Sequence, residues 1–277
     1  MNRRTFLEAA LLASPPIVDT HIHLFDTTRP QGVPWPDKGN ATLFQPALPP
    51  RLRRMATPHG VTGAIAIECS PWLDDNQWLL ETAATDPFLL GVVGNLEPGN
   101  PAFRAQLNKY QRNPLFLGIR YGNLWGRDLA AAVQRPEFIG DLKALAQAGL
   151  VLDTANPNPK LLGGVLEVAG RVPELRIVVD HLAGMAPNEQ WRELAKHRQV
   201  YVKGSALLGR AERLDVLFEL FGPDRLIYGS DWPNSDQLGT YTQVFTLVRN
   251  YFTAKGPAVS ERFFWKNAAA VYRWKAK

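Results

Sequence analysis

Asp19-Thr20-His21-Ile22-His23 closes an apolar run near the amino terminus. Residues i and i+2 on a strand point the same way. His21 and His23 therefore face one point, the geometry that grips a divalent ion, and imidazole nitrogen suits zinc and its neighbours. The same spacing also occurs in histidines that only pack. Two later apolar runs close in Val179-Asp180-His181 and in Gly229-Ser230-Asp231-Trp232-Pro233. If all three runs are strands of one barrel, three imidazoles and the Asp231 carboxylate reach the same mouth. The other two of the five histidines, His59 and His197, fall in helix or loop contexts and read as solvent-facing.

More polar groups stand at run ends: Glu68, Glu97, Arg120, Asp153, Lys203 and Ser205. The Arg120 fork offers two parallel donors and suits a carboxylate or an oxyanion. The alternative is a structural ion pair with Glu97 or Asp153. Lys203 carries the same two readings. Trp72, Trp125 and Trp232 follow the second, fourth and eighth runs. Their faces stack on a flat or sugar-like ring, or else they pack the top of the barrel.

The runs that must position these groups are Ile17–His23, Gly63–Ser70, Leu89–Leu96, Leu115–Tyr121, Leu150–Thr154, Ile177–Leu182, Val200–Ser205 and Leu226–Ser230. Each is short and aliphatic with little alternation, as expected for parallel strands buried on both faces. Between them lie helical spacings. Phe138, Leu142 and Leu145 recur at i, i+4, i+7, and Leu214, Leu217, Phe218 and Phe221 at i, i+3, i+4, i+7, with Arg210, Glu212 and Arg213 turned outward. Asp75, Asn76 and Pro101 suit helix starts. Eight strand–helix units predict a single α/β domain, a (β/α)8 TIM barrel whose functional side chains sit at the strands' carboxyl ends. Phe25 to Pro58 is rich in proline, lacks sustained periodicity and follows the first strand. A loop this long is usually functional, and this one is expected to cover the pocket.

The 277 residues are 45% hydrophobic and 21% charged, an ordinary globular mix. The net charge of +5 is scattered, with no basic stripe, which argues against nucleic acid as partner. One cysteine, Cys69, excludes an intramolecular disulfide and a cysteine-based zinc cluster. No apolar run reaches the roughly 18 residues that span a bilayer. Residues 1–16 form an N-terminal extension and 17–277 the barrel. Arg3 and Arg4 before Phe6 and Leu7 resemble a twin-arginine export signal. The apolar stretch that follows is short, however, and Pro15 and Pro16 abut the first strand. A short amphipathic helix on a cytoplasmic protein is the expectation, and export through a vestigial signal the alternative.

Taken in order, Val-Asp-Thr-His21-Ile-His23, Val-Val-Asp-His181-Leu-Ala, Val-Tyr-Val-Lys203-Gly-Ser and Asp-Arg-Leu-Ile-Tyr-Gly-Ser-Asp231-Trp-Pro resemble the amidohydrolase superfamily. Within it the chain is similar to the lactonase branch acting on pyrone dicarboxylate and on sugar lactones. Lys266-Asn267-Ala268-Ala269-Ala270-Val271-Tyr272 resembles that branch's closing helix, so the likeness runs from about Ile17 to Tyr272. It implies a hydrolase that opens a small anionic or polyhydroxy lactone. Asp231 would take a proton from water as general base, and His181 would match the strand-six histidine. Arg120, Lys203, Glu68, Trp72 and Trp232 would border the substrate.

One divalent ion, zinc or similar, would rest on His21 and His23 with Asp231 or Glu97. The branch also includes members that work without metal. Arg120 and Asp153 stand where two-metal members of the superfamily carry a bridging ligand and a further histidine, so a two-metal site is not expected. A decarboxylase of the same superfamily and a non-catalytic binding barrel are the rival readings, and the partner is a small molecule in an assembly of unknown size.

Overall fold

The computed structural model describes residues 15–275. The proposed export signal lies outside them. At the centre run eight parallel strands, hydrogen-bonded in sequence order: β1 (Ile17–Ile22), β2 (Val61–Ile67), β3 (Leu89–Gly94), β4 (Phe116–Arg120), β5 (Val151–Asp153), β6 (Ile177–Val179), β7 (Val200–Gly204) and β8 (Leu226–Tyr228). The last strand returns to the first. Ile22 bridges Trp232, the His23 amide donates to Trp232 O (2.7 Å), and the Asp231 amide donates to His21 O (2.8 Å). The architecture is the expected (β/α)8 barrel.

Its helices form for the reasons their spacing gave. On Pro136–Gln147 the residues Phe138, Leu142 and Leu145 are buried, and so are Leu214, Leu217 and Phe221 on Arg213–Phe221. Arg213 departs from the outward reading: its guanidinium donates to the carbonyls of Ala183 (2.5 Å) and Met185 (3.0 Å) and so braces the turn after β6. Helix Tyr241–Ala254 opens with a capping box, in which the Thr240 hydroxyl accepts from the Gln243 amide and the Thr240 amide donates to Gln243 Oε1.

Inside the ring, Ile65, Ile67, Val93, Val151, Val178 and Ile227 pack on Ala268, Val271 and Tyr272 of the closing helix Asn267–Tyr272. Above this apolar floor Lys203 of β7 meets Asp153 of β5, past the intervening β6. Only side chains pointing into the barrel can do that. The interior thus has an apolar floor, a charged middle layer and an open mouth.

The structure corrects two local expectations. The strands stop one to three residues before the expected ends, and His181, Ala206 and Asp231 fall just beyond them in left-handed conformations (φ 54°, 56° and 62°). Asn156 and Trp125, past β5 and β4, share that conformation (φ 53° and 58°). Such angles cost a non-glycine residue roughly 1–3 kcal/mol, and they gather where side chains must be re-aimed. The long segment after β1 is also not structureless. Pro49–Ala56 is a helix with Pro49, Leu52 and Ala56 buried at i, i+3 and i+7, and Phe25 bridges Ala47.

Candidate active site

His21 and His23 enter the mouth from the end of β1, both buried. His23 Nδ1 lies 3.0 Å from Ile67 O. A carbonyl only accepts, so Nδ1 carries the proton and Nε2 presents a lone pair. His21 turns Nδ1 toward Asp180 (3.6 Å) and Nε2 toward His23 Nε2 (3.3 Å). Burial, followed by the cationic charge of Lys203, holds the His21 imidazole well below its usual pKa and keeps it neutral. The close fit depends on Gly229: a Cβ there would stand 2.7 Å from His21 Cβ.

Asp231 completes the cluster from the loop after β8. Its Oδ1 lies 3.3 Å from His23 Nε2, 3.5 Å from His21 Nε2 and 3.6 Å from His181 Nε2, and it has no hydrogen-bond partner among the described residues. Oδ2 accepts from Asn234 Nδ2 at 2.8 Å. Burial alone would raise the carboxyl's pKa. The charge of a protonated His181, a hydrogen bond from a protonated His23 and then the charge of His21 would outweigh it, so a proton or cation among these rings holds the carboxylate well below its ordinary range. Asp19 fixes the register beneath. Its Oδ1 accepts from the Ser230 amide (2.8 Å) and the His21 amide (3.2 Å), and its Oδ2 from Tyr241 (2.9 Å).

His21 Nε2, His23 Nε2 and Asp231 Oδ1 thus form a triangle of atoms 3.3–3.5 Å apart with a carboxylate lone pair facing two imidazole nitrogens. Such acceptors repel unless a cation or proton lies among them. Ligand atoms on a tetrahedral ion with bonds of about 2.0–2.2 Å stand roughly 3.3–3.6 Å apart. The triangle therefore fits one face of a divalent site, with the remaining direction open to the cavity. Among the described residues these three form the His/Cys/Asp/Glu group placed to hold an ion. Cys69 lines the same cavity, but burial and then Glu68 push its thiol far above the usual range, so it offers no thiolate.

The other expected residues are placed unevenly. Arg120 reaches the cavity, but its Nε donates to Glu68 Oε1 (2.8 Å) and its Nη2 to Glu68 O. Glu68 also accepts from the Ser70 amide (3.0 Å) and from Trp125 Nε1 (3.2 Å). Burial would lower the Arg120 pKa, and Glu68 reverses that, so the pair is ionic. Its partner is neither Glu97 nor Asp153. Glu97 is exposed, beside Tyr121 and Arg127, and stands outside the triangle.

Lys203 is fully buried between Asp153 (2.6 Å) and Asp180 (2.9 Å), with Tyr272 donating to Asp153 at 2.8 Å. It lies in the middle layer and cannot border a substrate. Trp232 is fully buried under the Arg51 guanidinium, so it packs. Trp72 is 39% exposed but lines a small crevice beside Arg29 and Trp78, not the cavity of the triangle. His59 is partly exposed, as expected, and stacks on Phe245 and Tyr241.

Three contributors were not singled out from the sequence. Asn234 holds Asp231, and a hydrogen bond to a carboxylate has no spacing signature. Trp35, from the long loop, packs edge-on against His23 with ring centroids 5.7 Å apart and walls the cavity. Asn156 lines the same mouth from the loop after β5. Ser205, noted only as a polar strand end, lies 2.9 Å from His181 Nδ1. The cavity that Trp35, Arg120, Trp125, His181 and Asp231 enclose measures about 270 Å³.

A (β/α)8 barrel with a His-x-His pair, a strand-six histidine and a strand-eight aspartate at its mouth defines a class. Residues 18–274 match the amidohydrolase family, and the chain belongs to it. It is 30% identical to an L-fucono-1,5-lactonase of Burkholderia ambifaria over 92% of this chain and 95% of that one. It superposes on a solved Burkholderia multivorans amidohydrolase with bound zinc at TM-score 0.82, with 24% identity, covering 94% of this chain and 100% of that one. A 2-pyrone-4,6-dicarboxylic acid hydrolase from Pseudomonas putida superposes at TM-score 0.73 with 19% identity, covering 96% and 100%.

Proposed function

We propose that this hydrolase opens a small, neutral, polyhydroxy lactone by attack of water on the ring carbonyl, with Asp231 as general base. The observation that carries the reading is Asp231 at the cavity wall, its Oδ1 buried among the Nε2 atoms of His21, His23 and His181 with no hydrogen-bond partner among the described residues. A carboxylate so placed accepts the proton of an attacking water and returns it to the ring oxygen as the C–O bond breaks. A positioned base is typically worth 10²–10⁴-fold. A divalent ion, zinc being the expectation, would be held by His21, His23 and Asp231 and would polarise the carbonyl and acidify the water.

His181 supplies a second term. Burial lowers its pKa and keeps the ring neutral. With the Ser205 hydroxyl donating to Nδ1, the proton sits on Nε2 and points at the place where negative charge grows on the carbonyl oxygen. Asn234 holds the other oxygen of Asp231 and so fixes the direction of its free lone pair.

Charge balance separates the two kinds of lactone named for the relatives. The cationic fork of Arg120 is already matched by Glu68, and among the described residues no other Lys or Arg lines this cavity. The walls are otherwise the rings of Trp35 and Trp125 and the amides of Asn156 and Asn234. Aromatic faces and amides suit a hydroxylated ring. A dicarboxylate would enter beside Asp231, with the one Arg that lines the cavity among the described residues already paired to Glu68. The Arg120 reading as a clamp for anionic substrates is therefore replaced by an ion pair that shapes the wall.

A pH-indicator screen of δ-lactones tests the reading. Polyhydroxy neutral lactones are expected to release acid, with kcat/KM at least tenfold above that for ring dicarboxylates. Release of carbon dioxide from aromatic acids with no lactone opened would overturn it in favour of the decarboxylase.

A further inference from the structure

The mouth has a second lobe. The first lies on the β1–β5 side, behind Trp35 and Arg120. The second, about 440 Å³, lies on the β5–β8 side, and His181, Asp231, Asn156 and Asn234 line both. The two lobes therefore adjoin at these four residues. The first lobe alone is near the lower end of the roughly 300–1,000 Å³ common for ligand pockets, enough for a single ring. The second more than doubles the space, and the reaction uses none of it.

Its wall is apolar. Leu207 and Leu208 follow Ala206, whose left-handed backbone (φ 56°) turns the chain off β7 toward the mouth. Leu208 seats against Gly239, where a Cβ would stand 2.9 Å from Leu208 Cδ1. Val244 backs them, and Leu238 crowns the rim at 67% exposure. Trp72 and Leu238 are the exposed large hydrophobic residues among those described, and Leu238 stands at the edge of the catalytic cleft. A leucine held in water beside a reacting centre gains free energy only when something apolar covers it.

We propose that this lobe is a substrate subsite for an apolar arm, an alkyl or similarly greasy substituent on the lactone ring. The assignment rests on the lactonase reading and deepens it. The ring lies against Trp35 and Trp125 with its carbonyl at Asp231, and the arm runs past Asn234 onto Leu208 and Leu238. The physiological lactone is then larger than a bare sugar ring. The occupant follows from continuity: the four dividing residues are the reacting centre itself, so the molecule that reaches the lobe is the one being hydrolysed. Each methylene moved from water onto this open wall is expected to raise kcat/KM about twofold, half or less of full burial, chiefly through KM.

The test is a series of δ-lactones with no substituent or with linear chains of one, three and five carbons, turned over by the wild-type protein and by Leu208→Asn and Leu238→Asn. Binding of the same series to Asp231→Asn is followed by calorimetry. The expected result is a rise of about tenfold or more from the bare ring to the five-carbon chain in both readouts. Both leucine variants should flatten that slope while their rates on the bare ring stay within about twofold of wild type. A flat series in the wild-type protein, or a slope both variants keep, overturns the subsite. A chain-length slope in calorimetry with no turnover of any lactone supports the subsite and sinks only the lactonase reading.

Discussion

Asp231 is held by contacts of three different kinds. Its amide is bonded to the β1 backbone, Oδ2 to Asn234, and Oδ1 stands free beside three imidazoles. Removing the Asn234 donor leaves the carboxylate free to rotate and spoils the attack geometry more than the affinity. Asn234→Ala is expected to lower kcat about tenfold or more on the best neutral lactone with KM within about threefold, and steady-state kinetics will show the split. Glu68→Gln leaves Arg120 with an unmatched charge at the cavity wall. Selectivity should swing toward anionic lactones by about tenfold, read as the ratio of kcat/KM for a carboxylated and an uncarboxylated ring. An unchanged ratio would mean that the pair does not set charge preference.

At the scale of the elements, the middle layer of the barrel separates structure from chemistry. Lys203 bridges Asp153 and Asp180 in the interior, fully shielded, and Asp180 faces His21. Truncating one member of a buried charge cluster typically costs about 3–5 kcal/mol. Lys203→Met is therefore expected to lower Tm on the order of 10 °C while KM for the bare ring stays near wild type, which scanning calorimetry and kinetics can check together. A large rise in KM with Tm unchanged would restore the substrate-binding role.

The eight strand runs were legible because a strand buried on both faces reads as an unbroken aliphatic run, and His21 and His23 because a two-residue period defines a side of a strand. The pairings of Lys203 with Asp153 and Arg120 with Glu68 were not. Their partners lie about fifty positions away in sequence, and only barrel closure says which inward residues meet. The turn that aims His181 and Asp231 was hidden for a related reason: a left-handed angle at a non-glycine residue is imposed by its surroundings, here the bond from Asp231 to β1. The helix Pro49–Ala56 was masked by prolines that in fact occupy its first turn, where proline is tolerated.

Over the whole molecule, the fold brings segments more than two hundred residues apart to one point, joined by the backbone bonds between His23 and Trp232 and between Asp231 and His21. With His21, His23 and Asp231 placed 3.3–3.5 Å apart, an ion held between them would stabilise the closure of β1 against the loop after β8. Dialysis against a chelator is expected to lower Tm by several degrees, and stoichiometric zinc to restore it in the wild-type protein but not in His23→Ala, as differential scanning fluorimetry will read. Among the described residues no helix is long and apolar enough to cross a membrane. The most direct measurement is the rate of acid release from a neutral polyhydroxy δ-lactone by wild type and Asp231→Asn. The account predicts that the variant loses 10²–10⁴-fold in kcat with KM within about twofold; a variant that turns over the ring at the wild-type rate would contradict it.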